Sequence, residues 1–266
     1  MFGKMQDRPN RKYAVKEEIE LHTHLAREYI RRRESDGSAC FEAYWNQEIM
    51  TSLSCVPKQA VLDCCCGDGI LLPPLADCFE KVAGLDISRE MLALARETSK
   101  SANRILVNGD AAELPFKNEI FDAAIFRGSF HHLPDPISSL KEIRRVLKSG
   151  GVVLFVEPNG DPAWMRAFRR AYYKLSPKFS STHRSFRLHE LNRLLTDAGL
   201  QPLAGRRMFF FSYPFAGLLD HFPFLKNIPL HTSITKAMIR LDKLLAGLPL
   251  INRWGLALVV TGWKPE

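Results

Sequence analysis

Between residues 60 and 157 the chain alternates short, continuously apolar runs with stretches of helical periodicity, and no other feature constrains its fold as strongly. The runs cover residues 60–65, 81–86, 104–109, 121–126 and 151–157. A strand with one wet face alternates apolar and polar residues; a strand covered on both faces does not. The pattern therefore predicts an α/β fold, a parallel sheet with helices on both faces and right-handed crossovers. Between the runs, Ser88 is expected to cap a helix carrying Met91, Leu92 and Ala95 at helical spacing. Asp135 is expected to cap another, with Pro136 in its first turn, that buries Leu140, Ile143, Val146 and Leu147 and ends at Lys148 before Gly150 and Gly151. A charged, basic helix is expected upstream over residues 15–33, a second helix over 41–53, and two final strands over residues 206–212 and 255–263.

Ligands of such sheets bind at the carboxyl ends of the strands, where the strand order reverses. The first run ends in Asp63-Cys64-Cys65-Cys66-Gly67-Asp68-Gly69. Glycines let a ligand approach the backbone closely, but a Gly-x-Gly turn also serves dinucleotides. The acids decide between the two. A pyrophosphate sits at a helix N-terminus because that end favours negative charge, and Asp63 and Asp68 would repel it. A ligand that is cationic here, such as the sulfonium and ammonium of S-adenosylmethionine, suits them. The second run ends at Asp86, a carboxylate able to accept from ribose hydroxyls. The third is followed by Asp110 and Ala111, which offer a carboxylate and a backbone amide to an adenine ring.

Residues 61–69, 84–91, 109–116, 121–134 and 146–151, in that order and spacing, resemble the class I S-adenosylmethionine-dependent methyltransferases. The resemblance is to the small-molecule branch that contains the ubiquinone and menaquinone methyltransferases. It covers residues 41–157 well and 182–200 more weakly. It implies a doubly wound, seven-stranded, mostly parallel Rossmann-like sheet and S-adenosylmethionine as cofactor. It implies that Asp63 and the turn of Cys65, Gly67 and Gly69 face the methionine part. Asp86 would bind the ribose, Ile87 and Met91 would line the adenosine pocket, and Asp110 and Ala111 would hold the adenine. The backbone at Arg127 would meet the methionine amino group. Cys65 departs from the family, whose turn usually has glycine there. Its side chain is expected to crowd the ligand or shift the turn without abolishing donor binding.

Methyl transfer from a sulfonium is a displacement, so a nucleophile must be aligned behind the methyl and water excluded. The fourth run is followed by Arg127-Gly128-Ser129-Phe130-His131-His132. His131 is the first candidate for an acid–base or acceptor-orienting residue. His132 is expected to pack against the following helix. No metal site is expected from the pair, on the ground that adjacent side chains diverge. By the resemblance, residues 180–186 lie at the acceptor pocket, which makes His183 the second candidate, with Arg184 beside it. Cys64 and Cys66 are expected to pack as small core residues, and no cysteine spacing suits zinc.

Residues 1–55 are expected to form a helical cap and 56–212 the cofactor-binding core, with 159–184 an insertion on the acceptor side. Residues 213–253 are a Phe-, Leu- and Pro-rich helical insertion before a final core strand in 254–266. Ile234, Met238, Leu241 and Leu245 form an apolar stripe there, which suits a lid over an apolar acceptor, a dimer contact or peripheral docking on a membrane. The expected substrate is an apolar or lipid-like small molecule. Net charge is +8, with basic clusters at residues 31–33, at Arg166, Arg169 and Arg170, and at Arg206 and Arg207. That balance keeps methylation of RNA or another anionic substrate as the alternative, with nucleic acid the less favoured partner. A non-catalytic binder of S-adenosylmethionine or a nucleotide is a third reading. The start of the sequence lacks the apolar core of a signal peptide, and the cysteines suit a reducing cytoplasm, so a cytoplasmic location is expected.

Overall fold

The computed structural model describes residues 11–32, 36–175, 183–221, 230–248 and 251–266. Seven strands form one sheet: β1 (Ala60–Cys64), β2 (Lys81–Asp86), β3 (Arg104–Asn108), β4 (Phe121–Arg127), β5 (Leu147–Pro158), β6 (Gln201–Met208) and β7 (Ala257–Trp263). Their order is β3-β2-β1-β4-β5-β7-β6. The first five are parallel, and β7 runs antiparallel between β5 and β6. The sheet is therefore mostly parallel and doubly wound, as the resemblance implied. Strand order reverses between β1 and β4, so the crevice lies beyond the carboxyl ends of those two strands.

Side chains of β1 part to opposite faces with period two. Leu62 and Cys64 enter the core beneath α5 (Pro136–Val146) and α7 (Leu188–Asp197), with Leu140, Ile143, Leu191 and Leu195. Val61 and Cys66 enter the other, beneath α2 (Asp36–Ser52), α3 (Leu72–Ala76) and α4 (Arg89–Thr98), with Phe41, Ile49, Leu72 and Leu92. Cys64 and Cys66 are buried among these residues as small core side chains. The predicted caps form: the Ser88 hydroxyl accepts from the Met91 amide at 3.2 Å, and Asp135 accepts from the Ser138 amide at 3.2 Å. α1 (Arg11–Arg32) lies against α4. Among the described residues no helix is long and apolar enough to cross a membrane.

Three boundaries differ from expectation. α5 ends at Val146, and β5 begins at Leu147 rather than at residue 151. Gly150 and Gly151 do not act as a stop; each bonds the backbone of Lys264 at 2.9 Å, which draws them into the sheet. β6 covers 201–208, not 206–212, because it is an edge strand whose residues 201–206 are exposed and so lack an apolar run. The segment after it turns at Phe209, with φ 60°, and enters α8 (Ser212–His221). In α9 (His231–Ala246) the buried positions are polar, Thr235 and Asp242, while Ile234 and Leu241 of the expected stripe are exposed. Residues 180–182 and the side chains of the basic run 31–33 lie outside the described residues.

Candidate active site

The first half of the site is built on the turn after β1. Gly67 and Gly69 have φ +56° and +77°, and a Cβ on Gly69 would stand 2.8 Å from that of Ala95. Cys65 also lies in the left-handed region, with φ 60°. The turn has not shifted to suit its side chain; the chain keeps a glycine conformation and carries the strain. Asp86 ties the turn down: Oδ2 accepts from the Gly67 amide at 2.8 Å and Oδ1 from the Ser88 amide at 2.9 Å. Ile87 follows it, half-buried, and the Met91 side chain packs beneath Gly67. At the end of β3, Ala111 is buried, and Asp110 accepts from the Ala112 amide at 2.9 Å and pairs with Arg11 of α1 at 2.6 Å. Both Asp110 oxygens are thus engaged, each with a lone pair to spare.

Asp63, Asp68 and Asp86 are all buried at this end. Burial lifts the Asp63 carboxyl to about 7, eased by Arg127 and reinforced by Asp86 and Asp68. Burial raises Asp86 as well, against the amides it holds. No hydrogen bond reaches the Asp63 carboxylate from the described residues. The Arg127 side chain is committed elsewhere, paired with Glu42 and lying 4.5 Å from the Trp45 ring. Carboxyls crowded and buried in this way ionise more readily beside a cationic guest, such as one carrying a sulfonium and an ammonium, and they disfavour a pyrophosphate.

The second half of the site lies at the ends of β4 and β5. Glu157 is fully buried, and its carboxylate accepts from the amides of Ser129 at 3.0 Å, Phe130 at 2.8 Å and His131 at 3.3 Å. It also stands 2.6 Å from His131 Nδ1. Burial pushes Glu157 up to about 8 and holds His131 well below its ordinary value. His131 is therefore neutral, with its Nδ1 edge held against Glu157. Ser129 Oγ donates to the Cys64 carbonyl at 3.3 Å, so this loop adjoins the donor turn.

His131 and His132 do not diverge. They sit on one 3-10 turn, residues 130–132, with ring centroids 4.2 Å apart. The ground on which a metal was set aside is thereby removed. His183 closes the group, 4.5 Å from each of the two rings. Burial and the neighbouring imidazoles lower His183 to about 2. Arg184 turns away to donate to the Leu133 carbonyl at 2.7 Å. His132 faces α1 rather than the following helix: its Nδ1 is 3.2 Å from Glu18 and its ring 5.0 Å from that of His22. Glu157, Glu18 and His22 went unnoticed in the sequence. Only Glu157 carried a signal, since it ends a strand beside β4; Glu18 and His22 look like any acid and histidine on a charged helix.

Residues 62–155 match the family described as methyltransferase domain. A demethylmenaquinone methyltransferase of Staphylococcus haemolyticus is 36% identical over 139 residues, covering 51% of this chain and 57% of that protein. One from Bacillus licheniformis is 36% identical over 134 residues, covering 48% and 56%. The chain thus spans about half the length of the curated relatives it matches. A solved structure from Thermotoga maritima, described as an S-adenosylmethionine-dependent methyltransferase and possible histamine N-methyltransferase, superposes with a TM-score of 0.61. It is 20% identical and covers 92% of this chain and 99% of its own, which shows a shared fold. The match over residues 62–155 shows a methyltransferase domain there, and the order of the seven strands agrees with the shared fold.

Proposed function

We propose that the chain transfers a methyl group from S-adenosylmethionine to a small, apolar, quinone-like acceptor. The observation that carries the reading is the buried acidic turn, with Asp63, Asp68 and Asp86 crowded at one end of the crevice and the Glu157–His131 pair beside it. Asp63 and the turn of Cys65, Gly67 and Gly69 hold the methionine part. Asp86 takes the ribose hydroxyls next to Ile87 and Met91, and Asp110 and Ala111 meet the adenine. The backbone at Arg127 takes the amino group. When bound, the cofactor supplies an electrophilic methyl on its sulfonium. His131, locked by Glu157, and His183 orient the reacting atom of the acceptor toward that methyl. Alignment of this kind, with water excluded, lowers the barrier of a displacement.

Two observations support an apolar acceptor. The relatives at 36% identity are named for demethylmenaquinone. The insertion between β6 and β7 presents apolar side chains to its surroundings, among them Phe211, Ile234, Leu241 and Leu244. The test is turnover of methyl-labelled S-adenosylmethionine with demethylmenaquinone, and with RNA in a parallel reaction. The expected result is a quinone product heavier by one methyl group. Label in RNA and none in the quinone overturns the acceptor. Calorimetry in which NAD binds and S-adenosylmethionine does not overturns the donor.

A further inference from the structure

We propose that His131, His132 and His183 form a binding site for one divalent transition-metal ion of the zinc class. Each offers one ring nitrogen, and these atoms lie within 4.8 Å of one another. The three centroids are 4.2, 4.5 and 4.5 Å apart, so each ring touches the other two. Tetrahedral zinc holds nitrogens at about 2.0–2.1 Å, which places them roughly 3.3 Å from each other. The remaining contraction is within reach of side-chain rotation.

The surroundings of the rings argue further. A metal-bound histidine almost always gives its second nitrogen to a carboxylate or carbonyl, which fixes the tautomer and aims the ring. Glu157 stands 2.6 Å from His131 Nδ1, and Glu18 stands 3.2 Å from His132 Nδ1. Glu157 takes the Nδ1 edge of His131, which assigns Nε2 of that ring to the ion, and Glu18 lies beside the Nδ1 edge of His132. Four separate segments contribute: α1, the turn after β4, the end of β5 and the approach to α7. Packing alone has no need to bring three imidazoles and two carboxylates to one place. A donor set made of imidazole nitrogen suits zinc, copper, iron or nickel, not magnesium or calcium. Three protein ligands leave the fourth position to water or a ligand oxygen, as in zinc sites that act on substrates.

Glu18, His22 and His132 make a second group within the same distance and share His132 with the first. We assign Glu18 to orienting His132, not to the ion, and the test separates the two. The full chain is stripped with chelator and titrated with Zn²⁺ by calorimetry and with Co²⁺ by visible absorption. The expected result is one ion per chain with the absorption of tetrahedral cobalt. Affinity should fall at least tenfold in His183→Gln and in Glu157→Gln, and change less than twofold in His22→Gln. His183 lies outside the sheet, so His183→Gln remains readable even where circular dichroism finds Glu157→Gln unfolded. The proposal is overturned by the absence of saturable binding, by equal affinity in His183→Gln and the parent, or by loss in His22→Gln alone. The titration uses neither donor nor acceptor. Binding of S-adenosylmethionine to the stripped chain tests the methyl-transfer reading separately.

Discussion

Cys65 holds a backbone conformation that costs an L-residue about 1–2 kcal/mol, while a glycine there would cost roughly 0.5–1 kcal/mol in unfolded-chain entropy. Cys65→Gly should therefore raise stability in urea by about 0.5–1 kcal/mol and keep or raise donor affinity. A sharp loss of affinity would give the thiol a role of its own. Asp63→Ala and Asp86→Ala should each weaken S-adenosylmethionine binding by about 1–3 kcal/mol in calorimetry, the range for losing charged hydrogen bonds. Asp63 also sets a pH dependence. Its carboxyl is lifted from 3.8 to about 7 by burial, with Arg127 opposing and Asp86 and Asp68 adding to the rise. Without ligand, the folded chain keeps a proton there that the unfolded chain has released, so this contribution to stability fades as pH rises from about 4 to 7. A cationic guest prefers the ionised form. Donor affinity should strengthen as the pH rises through about 7, and Asp63→Asn should flatten that slope.

At the scale of elements, the insertion before β7 depends on one buried acid. Asp242 of α9 accepts from the amides of Phe210 at 3.0 Å, Phe211 at 2.8 Å and Ser212 at 3.1 Å, and from the Ser212 hydroxyl. It thereby fastens α9 to the start of α8. Asp242→Ala should cost roughly 2–4 kcal/mol in denaturant unfolding, because each abandoned amide costs about 1–3 kcal/mol. Donor affinity should be unchanged. Ile234 and Leu241 of the apolar stripe stay exposed, and what holds this helix is an acid whose partners lie some 30 residues upstream. The first residues of edge strand β6 were missed because an exposed strand has no apolar run to read. The central strands and both helix caps were readable, because burial on two faces and capping geometry are local in sequence.

At the scale of the whole molecule, α1 closes over the strand ends through polar ties. Arg11 pairs with Asp110 at 2.6 Å, Thr23 donates to Glu90 at 3.0 Å, and Glu18 meets His132 at 3.2 Å. His22 on the same helix also eases the ionisation of Asp86. Partly exposed ties of this kind are individually weak, so α1 should open at lower free energy than the sheet. Saturation with S-adenosylmethionine should slow amide exchange in α1 more than in β4 or β5, whose amides are already protected. Equal slowing in both, or none in α1, would mean that the helix does not cover the donor.

Five apolar runs were enough to predict the parallel strands of the sheet and the end at which its crevice lies. Each is a property of a short segment, and burial on both faces leaves such segments little choice. The meeting of Glu18, His132, Glu157 and His183 was decided only by tertiary structure. Those residues lie on segments up to 165 positions apart, and nothing in one segment records what another will bring to its side.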